Sequence, residues 1–300
     1  GVVSAAALGA KGFGIVGYDA DAARIEGLRA GKPPVLEPGL DELLATNPRQ
    51  SFTTRPEDLR SCDVVYVSTD VPTDDAGRSD LSGIGALVER LLANLGPEAI
   101  LVVLCQVPPG WTRGIALAPE RLYYQVETLV FGRAVERASK PERYIVGCAD
   151  PTRALPPALQ EVLGAFDCPI LPMRYESAEL AKISINMCLV ASVSVANTMA
   201  EVAEKIGADW SEIVPALKLD RRIGQWSYLA PGLGIAGGNL ERDLATVVRL
   251  SEEHGTDSRV VQAWLANSTH RRDWALTTIH REILARDPDP LLAVWGLAYK

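Results

Sequence analysis

Four polar residues recur at helical spacing within a long apolar segment: Lys182, Asn186, Asn197 and Glu201. Asn186 follows Lys182 by four residues, Asn197 comes eleven residues later, and Glu201 four after that. These intervals place the four side chains on one side of an α-helix. Because the neighbouring residues are mostly Val, Ile, Ala and Leu, the polar groups must find protein partners or a ligand. The alternative is a lysine that extends to solvent beside a structural asparagine.

A second candidate is the glycine-rich segment Gly232-Leu233-Gly234-Ile235-Ala236-Gly237. Such a density of glycine indicates a backbone that adopts unusual φ values or lies very close to another group. A bound substrate or a nicotinamide ring would require this, and so would a tight turn between two helices. Asn239 is a good N-cap for the helix predicted from Leu240 to His254.

The elements that would position these residues change in character near residue 174. Before it, continuous apolar runs at 63–68 and 99–105 predict strands buried on both faces, separated by helical patterns. This alternation predicts an α/β domain with a doubly wound parallel sheet over residues 1–173. A single long helix is predicted from Tyr175 to about Ile206, within an all-helical central domain over 174–285. Residues 286–300 are predicted to be a linker and the first strand of a further domain.

Asp19 is the main cofactor signal, because it ends a short predicted strand over 14–19. An acid at the end of the second strand of a dinucleotide-binding unit can accept hydrogen bonds from the adenosine ribose, which favours NAD over NADP. An N-cap role for Asp19 is compatible with this one. The segment from Gly12 to Gly17 also fits Gly-x-Gly-x-x-Gly, but it leads from a helix into a strand, the reverse of the order in a dinucleotide fingerprint.

Residues 231–243, Pro-Gly-Leu-Gly-Ile-Ala-Gly-Gly-Asn-Leu-Glu-Arg-Asp, resemble the active-site loop of the UDP-glucose/GDP-mannose dehydrogenases. The Lys-x-x-x-Asn pattern of Lys182 and Asn186 is similar to a motif of the same family. Further similar segments follow in order over nearly the whole chain: Glu37-Pro38-Gly39-Leu40, Pro72-Thr73, Val107-Pro108, 220–224 and 296–300. The resemblance implies a Rossmann-like NAD domain truncated at its first strand and phosphate loop, because Gly1 matches the third glycine of the family's fingerprint.

The resemblance also implies roles for individual residues. Lys182 would be the acid/base group, and Asp243 would orient it. Asn186 would orient the substrate hydroxyl or a water, and Glu127 would position water or act as a base. The implied cofactor-binding residues are Gly1, Asp19, Arg24, Pro72, Thr73 and Gln106, and the implied substrate-binding residues are Arg222, Gly234 and Gly237. Arg222 matches an arginine that reaches a neighbouring subunit's nucleotide-sugar, which implies a homodimer, expected through the long helix.

The sequence departs from the family pattern at the reacting centre. Asn239 stands where the family has its nucleophilic cysteine, and an amide cannot form a thiohemiacetal or a thioester. Gln106, Gly238 and Arg242 replace a threonine, a serine and a lysine. Cys105 is the one candidate for a substitute thiol, with core packing as the alternative. Arg242 and Asp243 could pair with Glu127 and Lys182, or merely with each other across the surface.

Composition excludes several other classes of protein. A net charge of −8 and a pI near 5.1 argue against a nucleic-acid partner and against binding to an anionic membrane surface. We expect no apolar run to span a bilayer. Five scattered cysteines and three histidines match neither a disulfide framework nor a metal-ligand pattern, so we expect a reduced, cytoplasmic protein without a metal.

The leading hypothesis is NAD-dependent oxidation of a UDP- or GDP-sugar by hydride transfer without a nucleophilic cysteine. Oxidation could stop at an aldehyde or ketone, or an aldehyde hydrate held by Glu127 and Asn239 could be oxidised again more slowly. One alternative is a catalytically inactive regulatory paralogue that binds NAD or a nucleotide-sugar. Another is a β-hydroxyacid-type two-electron dehydrogenase, which shares Lys-x-x-x-Asn but does not explain the Glu37 to Leu40 motif.

Overall fold

A computed structural model describes residues 1–74, 77–235, 238–287 and 289–295 of the chain. It divides into two compact units, the first with residues 1–74 and 79–184 and the second with residues 75–78 and 185–300. The division falls inside the long helix that begins at Tyr175. The domain boundaries expected from the sequence, after residues 173 and 285, stay predictions.

The first unit alternates strands and helices. Its strands are β1 (Ile15–Tyr18), β2 (Gln50–Thr53), β3 (Val64–Val67), β4 (Ile100–Val103), β5 (Leu122–Gln125), β6 (Tyr144–Cys148) and β7 (Ile170–Arg174). Its helices are α1 (Val2–Ala10), α2 (Ala22–Arg29), α3 (Leu40–Thr46), α4 (Ser82–Leu92), α5 (Ala134–Ser139) and α6 (Pro157–Gly164). Short 3₁₀ turns span Pro56–Ser61, Thr112–Gly114 and Pro119–Arg121.

The sheet of this unit is predominantly parallel. Strands β3 to β7 are hydrogen-bonded in chain order, and β1 pairs with β2 in a separate two-stranded sheet. All of these pairs are parallel except β5–β6, which is antiparallel with Tyr124 opposite Gly147. The predicted α/β class with a parallel-dominated sheet is therefore confirmed. The antiparallel pair was not anticipated.

Burial of the central strands follows the apolar runs in the sequence. Every residue of β4 is buried, as expected for a strand covered on both faces. One cluster joins β4, β5 and β6 to Leu159 and Leu163 of α6. A second cluster packs α1 against α3 and α5. Strand β1, predicted from the sequence over 14–19, is half-buried along its whole length.

The second unit is helical. The long helix α7 (Tyr175–Ile206) has the predicted bounds, and its 32 residues make it about 48 Å long. It is followed by α8 (Trp210–Leu219), α9 (Gly238–His254), α10 (Arg259–Arg272), α11 (Trp274–Ile279) and a π-helical turn at His280–Leu284. Gly207, with φ of +78°, ends α7. Residues 291–295 have no regular structure, and residues 296–300 of the predicted strand lie outside the described residues.

Helix α7 corrects one expectation from the sequence. By length and apolar composition alone it is long enough to cross a membrane, although no such segment was expected. Within the second unit, however, Asn186, Ser194 and Asn197 are buried polar residues of this helix. Ala196, Ala200 and Ala203 pack against Trp210 and Leu229. These features are those of a helix in a protein core.

Candidate active site

Glu127 and Lys182 meet in the first unit, just beyond the carboxyl end of β5. Lys182 Nζ donates a hydrogen bond of 2.8 Å to the main-chain oxygen of Glu127. The Glu127 carboxylate accepts a hydrogen bond of 2.9 Å from Ser4 Oγ on α1 and one of 3.2 Å from the Thr128 amide. Both Glu127 and Lys182 are half-buried. The structure thus brings the Lys182 side chain to the main chain of Glu127, from which the sequence separates it by 55 residues.

The segment that follows Glu127 is anchored by residues to which the sequence assigned no role. The buried carboxylate of Glu37 accepts hydrogen bonds from the amides of Gly132 at 2.9 Å and Ala134 at 3.2 Å. Arg137 Nε donates to the main-chain oxygen of Thr128 at 2.9 Å. Ser4, Glu37 and Arg137 therefore hold the Glu127 segment in place. Ser4 is the one side chain with a hydroxyl on an α1 otherwise composed of Val, Ala, Leu and Gly, but nothing in the sequence indicates that Glu127 is its partner.

Two of the predicted cofactor residues of the first unit, Gly1 and Asp19, lie at the ends of regular elements. A Cβ on Gly1 would lie 2.6 Å from Ser68 Oγ and 3.4 Å from the Ser68 main-chain oxygen. This close approach of helix and strand is the purpose of the third fingerprint glycine. Asp19 directly follows β1, and its carboxylate pairs with Arg24 at 3.3 Å. Asp19 is not the N-cap of α2; Asp21 holds that position and accepts from the Ala23 and Arg24 amides.

The remaining predicted cofactor residues lie in loops. Pro72 and Thr73 are exposed, where the Pro72 main-chain oxygen accepts a hydrogen bond of 2.8 Å from the Asp80 amide. Gln106 is half-buried, two residues after Leu104. Their roles toward a cofactor stay predictions.

The second unit holds a buried polar chain that connects α7 with α9. Asn186 Nδ2 donates to Asp243 Oδ2 at 2.6 Å, and Asp243 Oδ1 lies 3.8 Å from Arg242 Nε. Arg242 Nη2 in turn donates to Asn239 Oδ1 at 3.3 Å. Asn186, Arg242 and Asp243 are all buried. Arg242 and Asp243 thus lie close to each other, as one alternative expected, but in the interior of the second unit and not across its surface.

Asn239 is placed differently from the N-cap that the sequence suggested. Helix α9 begins at Gly238, so Asn239 lies inside its first turn and is exposed. Its carboxamide oxygen is directed to Arg242. A carboxamide in this position supplies hydrogen-bonding groups but no nucleophile.

Cys105, the one candidate for a substitute thiol, is not suited to be the missing nucleophile. The Cys105 thiol is buried and donates to the Val67 main-chain oxygen at 3.3 Å. Burial raises the pKa of this thiol to about 11, so it is protonated at neutral pH and a poor nucleophile. Cys188 is exposed on α7, whereas Asn186 is buried. Among the residues that the structure describes, no group of His, Cys, Asp and Glu could hold a metal ion.

The predicted substrate residues have different surroundings, and for one of them packing alone explains the residue type. Gly234 has φ of +92°, and a Cβ there would lie 2.5 Å from the Ser268 main-chain oxygen. Packing against α10 therefore already requires glycine at this position, as the tight-turn alternative expected. Arg222 is exposed and pairs with Asp220 at 2.6 Å. Gly237 lies outside the described residues, and all three substrate roles stay predictions.

Comparison with protein families identifies the ancestry of this fold and site. The model for the NAD-binding domain of the UDP-glucose/GDP-mannose dehydrogenases matches residues 1–166, more than half of the chain. The model for the central domain of the same family matches residues 176–269. The chain belongs to the UDP-glucose/GDP-mannose dehydrogenase family.

Individual members of the UDP-glucose/GDP-mannose dehydrogenase family are similar over the whole chain. UDP-glucose 6-dehydrogenase of Pseudomonas aeruginosa is 29% identical, with 100% of this chain and 70% of that protein covered. UDP-glucose 6-dehydrogenase TuaD of Bacillus subtilis is 26% identical, with 100% and 67% covered. The structure of a UDP-glucose dehydrogenase from Pyrobaculum islandicum superposes with a TM-score of 0.85 at 29% identity, covering 94% of this chain and 68% of that one.

Membership of the UDP-glucose/GDP-mannose dehydrogenase family confirms three predictions made from the sequence. These are the family itself, NAD as the cofactor, and an oxidoreductase that acts on CH–OH groups. The NAD-domain match includes Asp19 and Glu127, and the central-domain match includes Lys182, Asn186 and Asp243. The role of each residue stays a prediction, which mutation can test.

The first such test concerns Asp19. We expect Asp19→Ser to raise the Kd for NAD by about tenfold, because a charged acceptor for the ribose hydroxyls is lost. The Kd for NADP should change less, so the ratio of the Kd for NADP to the Kd for NAD should fall. Isothermal titration of the full chain with each nucleotide measures both constants. Asp21→Ser is the matched control, because serine keeps the N-cap of α2; an equal effect of both variants would remove the special role of Asp19.

Proposed function

We propose that this protein oxidises an alcohol group of a nucleotide-sugar with NAD, without a covalent thioester. The observation that carries the proposal is the side chain at residue 239 and the hydrogen bond that it makes. There, a carboxamide bonded to Arg242 replaces the nucleophile, while Lys182 and the buried Asn186–Asp243 pair are kept. A nicotinamide, when bound, accepts a hydride from the substrate carbon. The residues of this chain therefore need only to accept the proton of the substrate hydroxyl.

Lys182 is the proposed proton acceptor. Its hydrogen bond to the Glu127 main-chain oxygen restrains the amino group, which accepts the proton in its neutral form, and lowers the cost of orienting it toward a substrate hydroxyl. Asp243 fixes the Asn186 carboxamide through the bond of 2.6 Å, and we assign Asn186 to the substrate hydroxyl or to a water. That Glu127 positions water is part of the same proposal and rests on the family resemblance.

The product we propose is an aldehyde or a ketone. One two-electron oxidation moves a hydride to NAD and the hydroxyl proton to Lys182, and its balance requires no thiol. A thiol would trap an aldehyde as a thiohemiacetal, from which a second hydride can leave. Asn239 cannot do this. A second oxidation would then have to proceed through an aldehyde hydrate, and we expect it to be slower.

Turnover of the full chain on a panel of UDP-, GDP- and TDP-sugars tests this proposal. NADH is counted per sugar consumed, and the product is identified by mass. One NADH with an aldehyde or ketone supports the proposal, whereas two NADH with a carboxylate contradict the single oxidation. Asn239→Cys is the matched variant, since a thiol at this position should raise the NADH count toward two.

A second candidate function is supported by the loss of the cysteine itself. A regulatory paralogue that binds NAD or a nucleotide-sugar without turnover needs no nucleophile at residue 239. Measurable binding together with no NADH from any sugar would favour it over the enzyme. The presence of Lys182, Asn186, Glu127 and Asp243 at positions that match the family pattern argues for the enzyme, because a binding protein has no evident need for all four.

We also propose that two copies associate through α7. Val195, Met199, Val202 and Ile206 are between 43% and 73% exposed, and their spacing of four, three and four residues places them on one helix face. Such an apolar stripe is typical of an interface between protein chains.

Five free cysteines are consistent with the reducing cytoplasm, where we propose that the protein acts.

The α7 interface can be tested by a single charge. Val202→Lys should convert the dimer to a monomer, because a lysine there would face the apolar surface of the second copy without a partner. Light scattering after size exclusion measures the mass. Ala263→Lys, an exposed apolar-to-lysine change on α10, is the control and should leave the dimer intact. A monomeric wild type, or a Val202→Lys dimer, refutes this interface.

A further inference from the structure

Asn197 and Arg271 have no part in the proposed proton transfer, yet both bind the main chain of one glycine. Asn197 Oδ1 accepts a hydrogen bond of 2.7 Å from the Gly232 amide. Arg271 Nε donates to the Gly232 main-chain oxygen at 3.3 Å. Asn197 is 1% exposed and Arg271 is 4% exposed. Two buried polar side chains, from α7 and α10, thus satisfy both main-chain groups of Gly232.

Arg271 is itself anchored to α7. Its Nη1 lies 3.6 Å from Glu201 Oε2, an ion-pair distance somewhat longer than a hydrogen bond. Its guanidinium carbon lies 5.7 Å from the centre of the Trp274 ring. A planar guanidinium can serve two acceptors at fixed angles, here the Glu201 carboxylate and the Gly232 oxygen, which an ammonium group cannot do in the same geometry.

A second attachment lies three residues further along the chain. The Ile235 amide donates to Ser268 Oγ at 2.8 Å, and Gly234 packs against the Ser268 main-chain oxygen. The segment from Gly232 to Ile235 is therefore held at both ends, by α7 and α10 at Gly232 and by α10 at Ile235. Helix α9, which carries Asn239 and Asp243, begins three residues after Ile235, at Gly238.

We propose that Arg271 and Asn197 are positioning residues for nucleotide-sugar binding. They fix the main chain of Gly232–Ile235, so that the loop is already in its binding conformation before the sugar arrives. A loop ordered in advance binds more tightly, because the entropic cost of ordering it is not paid on binding. This inference rests on the proposed function, since it takes the loop to contact the nucleotide-sugar.

The test combines amide hydrogen exchange with binding of UDP-glucose and NAD to the full chain. Arg271→Lys keeps the charge opposite Glu201 and so preserves folding, but loses the two-acceptor geometry. Asn197→Ala removes the acceptor of the Gly232 amide. Arg259→Lys is the matched control: the same substitution on the same helix, at a residue 86% exposed that pairs with Asp257.

We expect Arg271→Lys and Asn197→Ala to speed exchange of the Gly232 and Ile235 amides and to raise the Kd for UDP-glucose about tenfold. The Kd for NAD should stay within a factor of two of wild type, and Arg259→Lys should change none of these values. Unchanged exchange, or faster exchange with an unchanged Kd for the sugar, overturns the positioning role. A wild type that binds no nucleotide-sugar refutes the proposed function, and the positioning role with it, while exchange still reports whether the anchor exists.

Discussion

Lys182→Ala should lower kcat for nucleotide-sugar oxidation by about 10²- to 10⁴-fold, the usual effect of removing a general acid or base. The hydroxyl proton then has no acceptor held near it, since Lys182 is the group fixed by the Glu127 main-chain oxygen at 2.8 Å. Initial rates of NADH formation, at saturating sugar and NAD, measure the change. Lys140→Ala, at an exposed lysine of the same unit, should keep the wild-type rate.

Lys182→Arg distinguishes a role in proton transfer from a role that requires only a positive charge. Arginine can also donate to the Glu127 oxygen, but it does not give up its proton at neutral pH. If Lys182 is the acid/base group, the arginine variant should be nearly as slow as the alanine variant. A Lys182→Arg enzyme that retains most of its rate would show that positive charge alone is needed, and the proposed role would be wrong.

Asp243→Ala should lower the free energy of unfolding by about 3–5 kcal/mol, the usual cost of breaking a buried ion pair by removing one partner. Asp243 is 2% exposed, accepts the bond of 2.6 Å from Asn186 and lies 3.8 Å from the Arg242 guanidinium. Its loss leaves a buried cation and a buried carboxamide without this acceptor. Urea unfolding followed by circular dichroism measures the change.

Two further variants serve as comparisons for Asp243→Ala. Asp243→Asn keeps the volume and an acceptor for Asn186 but removes the charge beside Arg242, so its stability should fall between wild type and alanine. Asp257→Ala removes an exposed carboxylate that pairs with Arg259, and because solvent screens a surface pair of this kind we expect a much smaller loss of stability. Equal losses for Asp243→Ala and Asp257→Ala would mean that the buried chain does not stabilise the second unit.

The predictions from the sequence succeeded where a signal is local. Four consecutive apolar residues in β4, and a helical pattern without Gly or Pro in α7, identify these elements before any contact is known. Strands β2 and β5 were not identified. β2 reads Gln-Ser-Phe-Thr, without an apolar run, and β5 is four residues long and ends in a glutamine. Their neighbours in the sheet make them strands, and the pattern of their own residues does not predict this.

The candidate site divides in the same way. Lys182, Asn186 and Asp243 could be found because their spacing and family resemblance lie in short motifs. Ser4, Glu37 and Arg271 could not, because each acts on a partner far along the chain: Ser4 on Glu127 across 123 residues, Glu37 on Gly132 across 95, and Arg271 on Gly232 across 39. A lone serine, glutamate or arginine carries no sign of such a partner.

The sequence by itself determined the α/β class, the long helix, the family, the cofactor and the absence of a cysteine at residue 239. Apolar periodicity and short motifs encode these properties locally. The tertiary structure decided that Asn239 accepts a hydrogen bond from Arg242 and that Asp243 is buried beside Asn186. It also decided that the Cys105 thiol donates a hydrogen bond to a main-chain oxygen. Hydrogen bonds and burial depend on which distant groups meet, and folding alone brings those groups together.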